Sequence, residues 1–202
     1  MNEIRLGIYG GTFSPPHLGH VHAARRFLEG LSLDRLLVIP AGIPPHKDQQ
    51  DGVTAEQRFA MCRLAFSALP RTEVSRMELD RAGISYTCDT LAALAAPGRR
   101  LFVLCGTDMM LTLDRWRQPE RLFALATLVL VRRESDPELT HAIREKNRQY
   151  RARYGAEVEV LDGEVLTLSS AFVREQIRKG RPVSELLDVS VAAYIKEQRL
   201  YQ

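Results

Sequence analysis

The chain is poor in cysteine, with only Cys62, Cys88 and Cys105 in 202 residues. They are odd in number and widely spaced, and none forms a Cys-x-x-Cys pair. This excludes a disulfide framework and the usual cysteine zinc and redox sites, and leaves small buried thiols as the reading. Long hydrophobic runs are missing too: no segment approaches the ~20 apolar residues that span a bilayer. Asn2, Glu3 and Arg5 put polar and charged groups where a secretory leader would be apolar. A soluble, cytoplasmic protein without a membrane partner is expected. Charge of one sign is equally scarce, since the net charge of +3 is spread along the chain rather than gathered into arms or tails. No internal repeat or low-complexity tract is visible, and Trp116 is the single tryptophan.

What is present suits a folded domain. A hydrophobic content of 45% with 26% charged residues is enough for a real core, and residues 1–202 are read as one domain with a C-terminal helical part from about residue 169. Ile4 to Tyr9 is a short apolar run closed by Gly10-Gly11. From His17 onward, Val21, Ala24, Phe27 and Leu28 recur at helical spacing. Leu36 to Ile39 is a second strand, followed by a loop that Pro44 and Pro45 hold extended. Thr54 and Gln57 predict a capping box for a helix reaching about Leu69, with Phe59, Leu64 and Phe66 in its apolar stripe.

Further strands are predicted at Val74 to Met77, Leu101 to Leu104, Thr127 to Val131 and Val158 to Leu161. Helices are predicted from the Ser85–Leu91 segment, over Met109 to Leu113, over the charged stretch 136–154, after Ser169-Ser170, and through Val191, Tyr194 and Ile195. Strands alternating with helices imply an α/β fold with a parallel, doubly wound, Rossmann-like sheet, because parallel neighbours need crossovers and these are right-handed. In such sheets ligands bind beyond the carboxyl ends of the strands, where strand order reverses.

The residues that carry chemistry lie at those ends. In Gly10-Gly11-Thr12-Phe13-Ser14-Pro15-Pro16-His17-Leu18-Gly19-His20 the glycines allow backbone to approach a phosphate. The two histidines, three apart at the positive end of a helix, can donate to one phosphate group. This segment resembles the signature of the HIGH-motif nucleotidyltransferases, and Ser169-Ser170-Ala171-Phe172-Val173-Arg174 resembles the second signature of that superfamily. Three more segments resemble the nicotinate-nucleotide adenylyltransferase branch: the proline-rich loop Ile39 to Lys47, the element Ser85 to Leu91, and Gly106 to Trp116.

The resemblance implies transfer of an adenylyl group from ATP to nicotinate mononucleotide, giving nicotinate adenine dinucleotide and pyrophosphate. Mg²⁺ would be held mainly by the ATP phosphates and no protein side chain is needed as a metal ligand. His17, His20 and Arg174 are the implied catalytic residues. Gly10, Gly11, Thr12, Phe13, Gly106, Asp108, Ser169 and Ser170 join them around ATP, with Asp108 toward the ribose hydroxyls. Lys47, Thr87 and Trp116 are assigned to the pyridine nucleotide, Lys47 through its charge and Trp116 as a stacking face. Homo-oligomers are common in the family. Two departures stand out: Ser14 replaces the family's usual aspartate and Ala171 its usual threonine, and slower or weaker use of ATP is expected from both.

Each feature also has a plainer reading. His17, His20 and His22 could mark zinc, but the His-x-x-His pair alone lacks the third ligand and the glutamate of a His-Glu-x-x-His site. Ser169 alone is an ordinary helix cap, Trp116 alone a core aromatic, and Lys47 alone a solvated lysine. The run Arg144, Lys146, Arg148, Arg151 and Arg153 reads as a solvated helix face rather than a nucleic-acid surface. Competing functions are transfer to phosphopantetheine or glycerol phosphate, a nucleotide-binding regulator without catalysis, and a nucleic-acid-binding module.

Overall fold

The computed structural model describes residues 3–43, 52–132, 136–156, 158–161, 166 and 168–202. Six strands, β1 (Ile4–Gly11), β2 (Arg35–Pro40), β3 (Thr72–Val74), β4 (Arg99–Cys105), β5 (Ala126–Val131) and β6 (Glu159–Leu161), form one sheet in the order β3-β2-β1-β4-β5-β6. All five pairings are parallel. The fold is the expected Rossmann-like α/β sheet, and strand order reverses between β1 and β4.

Alternation along the strands sorts the core into two layers. Tyr9, Leu36, Val38, Phe102, Leu104, Val129 and Val131 face one side. There they meet α1 (Leu18–Gly30), α2 (Ala55–Ala65), α7 (Ser170–Arg178) and α8 (Val189–Glu197) through Phe27, Met61, Val173 and Val191. Leu6, Ile8, Leu37, Ile39, Leu101, Val103, Leu128 and Leu130 face the other side. Their partners are α3 (Thr87–Leu94), α4 (Thr107–Met110), α5 (Pro119–Leu125) and α6 (Pro137–Tyr154), through Leu91, Met110, Leu122 and Ile143. Each fully buried Leu, Ile, Val or Phe contributes on the order of 1.5–3 kcal/mol to holding these layers together. All three cysteines are buried and unbridged, and burial pushes the Cys105 thiol up to about 12.

Several element boundaries differ from the sequence reading. The helix expected over Met109–Leu113 starts earlier, because extended Gly106 lets the Met110 amide donate to its carbonyl. It stops early because the Thr112 hydroxyl takes the carbonyls of Asp108 and Met109, and a short 3-10 turn, Leu113–Arg115, follows. α2 ends at Ala65 rather than Leu69: the Ser67 amide and hydroxyl both go to the Leu64 carbonyl instead of continuing the helical pattern. The third strand is Thr72–Val74, and α5 had no counterpart in the reading.

The stripe of α2 is also rotated from expectation. Arg58, Met61, Cys62 and Ala65 are its buried residues, whereas Phe59 and Leu64 are only half-buried. In α6 the arginines 144, 148, 151 and 153 are exposed, as a solvated face requires, but Lys146 turns inward to Asp114 at 3.1 Å. Burial opposes ionisation of Asp114, yet the hydrogen bond and charge of Lys146 outweigh it and lower its pKa. Beside them the Tyr150 hydroxyl, pushed up to about 12 by burial, donates to the Met110 carbonyl at 2.6 Å. This helix is therefore a structural brace under α4.

Candidate active site

The turn after β1 lies at the reversal point of the sheet. Gly10 is the last residue but one of β1, and Gly106 follows β4. A Cβ at either position would meet nothing within 4 Å among the described residues. Neither has a positive φ, so neither backbone conformation nor packing requires glycine there; what the glycines supply is room.

His17 precedes the first turn of α1 in extended conformation, and its amide donates to His20 Nδ1 at 3.1 Å. The two rings stack with centroids 3.7 Å apart. Because His20 Nδ1 accepts a backbone N–H, the proton of its neutral ring sits on Nε2, the form in which that nitrogen donates. Gly19 leaves this stack uncrowded: a Cβ would lie 3.1 Å from the His17 ring and 3.0 Å from the Leu166 carbonyl oxygen, tight enough that a neighbour would have to give. His17 is 2% exposed, and His20 beside it is half-buried.

The turn between these features is held from far along the chain. Arg174 Nη1 donates to the Ser14 carbonyl at 2.7 Å, and the Ser170 hydroxyl to the Pro15 carbonyl at 2.9 Å. The Ser14 and Tyr201 hydroxyls share a buried hydrogen bond of 2.9 Å, and the Leu18 amide donates to Leu186. The Ser14–Pro15 peptide is cis. Ser14 thus faces a neutral hydroxyl, and the missing aspartate charge leaves no unmatched group at that contact. Ser169 caps α7 by accepting from the Phe172 amide, while Ala171 is exposed. The ring of Phe13 is buried edge-on to Tyr9, His20 and Phe66, so any ligand contact from Phe13 falls to its backbone.

The second loop, after β2, is joined to the segment that precedes α3. Gly42 donates to Ser85 Oγ at 3.2 Å, the Ser85 amide donates to the Ile43 carbonyl, and Ile43 bridges Ile84. A Cβ on Gly42 would stand 2.3 Å from the Glu78 carbonyl oxygen, a close approach that only glycine permits. Under this loop Thr90 donates to Glu78 at 2.6 Å and Arg81 donates to Thr90 at 2.7 Å. Burial raises the Glu78 carboxyl above its ordinary pKa.

Thr87 opens α3 and Trp116 ends the 3-10 turn, half-buried against the core layer that contains Leu91. Their segments meet where the Arg117 guanidinium lies 4.5 Å over the Tyr86 ring. Asp108 is exposed on the first turn of α4. Lys47 lies outside the described residues. Sequence reasoning missed Arg58, Glu78 and Tyr201. For Arg58 a signal existed, because it stands in register with the apolar positions 61, 62 and 65.

Sheet order, the histidine pair opening α1 and the cradle of backbone and cations at the reversal point define a Rossmann-like nucleotide-transfer protein. The sequence model of the cytidylyltransferase-like family matches residues 8–179. A protein of Roseiflexus sp. called "Probable nicotinate-nucleotide adenylyltransferase" is 37% identical over 100% of both chains. One of the same name from Desulfatibacillum aliphaticivorans is 34% identical over 98% of this chain and 100% of its own. The fold is shared with nicotinic acid mononucleotide adenylyltransferase of Plasmodium falciparum, solved in complex with NaAD. Its TM-score is 0.76 at 15% identity, covering 98% of this chain and 97% of that one. The chain belongs to the cytidylyltransferase-like family and, within it, to the nicotinate-nucleotide adenylyltransferases.

Proposed function

We propose that the protein joins ATP and nicotinate mononucleotide to give nicotinate adenine dinucleotide and pyrophosphate, in NAD biosynthesis. The observation that carries this reading is the stacked His17–His20 pair beside open glycines at the end of β1, in a chain whose relatives bear that enzyme's name. An oxygen of the mononucleotide phosphate attacks the α-phosphorus of ATP, the bond to the bridging β-phosphate oxygen breaks, and pyrophosphate departs. No covalent intermediate with the protein is needed. What the reaction needs is alignment and donors already aimed at the developing charge.

His20, through Nε2, and His17 are assigned to the ATP phosphates, together with the amides of residues 10–13 and the α7 end bearing Ser169, Ser170 and Arg174. Arg174 spends one donor on the turn, and its guanidinium carries further N–H groups for the nucleotide. Gly106 gives access, and Asp108 is assigned to the ribose. Thr87, Trp116 and Lys47 are assigned to the pyridine nucleotide. Among the described residues no group of three His, Cys, Asp or Glu side chains is gathered for a metal. Mg²⁺ is assigned to the nucleotide's own phosphates, where it would offset their charge. We take residues 1–202 as one catalytic domain working in the cytoplasm.

The test is pyrophosphate release from Mg-ATP with nicotinate mononucleotide, nicotinamide mononucleotide and phosphopantetheine in separate reactions. Release with nicotinate mononucleotide is expected. Release with phosphopantetheine alone would move the protein to another acceptor, and silence with all three would overturn the assignment.

A further inference from the structure

We infer that Arg58 is a positioning residue that fixes the ATP turn and the acceptor loop at one separation; the inference rests on the reading above. β1 and β2 pair as far as the Ala41 amide, which donates to the Gly11 carbonyl at 2.8 Å. Beyond that bond the two strands part, one into the phosphate turn and the other into the loop toward the acceptor. The next carbonyls on either side, Thr12 and Gly42, are spanned by one guanidinium: Arg58 Nη1 donates to Thr12 at 2.9 Å and Nη2 to Gly42 at 3.1 Å. The fork continues the ladder past the point where backbone can no longer do so.

Arg58 is 1% exposed and projects from the buried stripe of α2, among Met61, Cys62 and Ala65. Both of these hydrogen bonds are to backbone carbonyls, so at these two contacts it reads position and not sequence. Burying a cation is costly, and an apolar side chain of similar volume would stabilise the layer as well or better. What an apolar side chain cannot supply is two donors at a rigid, planar spacing. Lysine, a point charge on a flexible stem, reaches the two carbonyls without fixing the distance between them.

The chemistry makes that distance matter. In-line attack requires the reacting atoms about 3–3.5 Å apart, and a misplacement of about 1 Å costs on the order of a hundredfold in rate. The loops that present the two substrates are the two that Arg58 ties. Their alignment is therefore expected to fail before the binding of either substrate does.

The experiment compares Arg58→Lys and Arg58→Met with wild type. The turnover rate kcat is expected to fall about tenfold to a hundredfold, with KM for ATP and for nicotinate mononucleotide each changing less than about threefold. Unchanged kcat, or a rise confined to one KM, overturns the inference. Hydrogen exchange in wild type supplies a readout that needs neither a variant nor turnover. α,β-Methylene-ATP alone is expected to slow amide exchange over residues 38–43, on the acceptor side, and to lose that effect in Arg58→Lys. No slowing in wild type, or equal slowing in Arg58→Lys, also overturns it. Failure of wild type to release pyrophosphate with any acceptor would instead count against the proposed reaction.

Discussion

The two loops at the reversal point are built in opposite ways. The turn after β1 is clamped by side chains 155, 160 and 187 residues away, from Ser170, Arg174 and Tyr201. The loop after β2 is held by partners 16 and 43 residues away, Arg58 and Ser85. One half of the site is a product of the whole chain, the other of a single stretch of it. Local changes around residues 42–90, Arg58 apart because it also bonds Thr12, can therefore reshape the acceptor side while the phosphate turn stays in place. Changes in α7, or at Tyr201 beyond α8, reach the phosphate turn directly.

The largest expected effect comes from emptying the clamped half. His20→Ala is expected to lower turnover by roughly a hundredfold or more with the melting temperature nearly unchanged, since it removes a donor to the transferring group. Near-normal turnover would refute its role. On the other half, Trp116→Ala is expected to raise KM for the mononucleotide by about tenfold and KM for ATP much less, from a lost stacking face. Equal rises would show that the two halves are not separable there. Tyr201→Phe removes one buried hydroxyl and leaves Ser14 with one partner fewer. A loss of about 1 kcal/mol in stability is expected, with KM for ATP moving and KM for the mononucleotide still. A double-mutant cycle with Ser14→Ala measures whether the two hydroxyls act as a pair.

The smallest effect is the pH dependence of the local half. Glu78 has a raised pKa in the fold, so the folded state holds its proton more tightly than the unfolded chain does. That contribution to stability is complete below the ordinary value of 4.5 and is lost as pH rises through the raised value. Glu78→Gln is expected to flatten the decline in melting temperature above pH 4.5 while still accepting from Thr90. An unchanged pH profile would show that another group controls it.

The long apolar strands were legible because each is buried on both faces and reads as a continuous run. β3 and β6, three residues each, were displaced by two residues or one, since so short a run at a sheet edge leaves little pattern. The histidine turn was legible because its residues are neighbours in sequence. The clamp was half legible: Ser170 and Arg174 stood out as a motif, but both bond the turn itself, and nothing local marks Tyr201 as the partner of Ser14. Arg58 went unread because a charged residue was not counted in an apolar stripe. Its spacing to Met61, Cys62 and Ala65 was the clue that a buried cation spans two carbonyls there.

The clamp on the phosphate turn also sets an order of events during synthesis. Ser14 and Pro15 leave the ribosome early, yet the groups that hold them are residues 170, 174 and 201. Through most of translation the turn exists without its clamp, so a nascent chain can assemble the β1–β2–β3 half of the sheet well before it can present an ordered nucleotide turn. The turn is then complete only once residue 201 has been made, and a message truncated within α8 yields a protein that folds most of its sheet and still lacks a finished site.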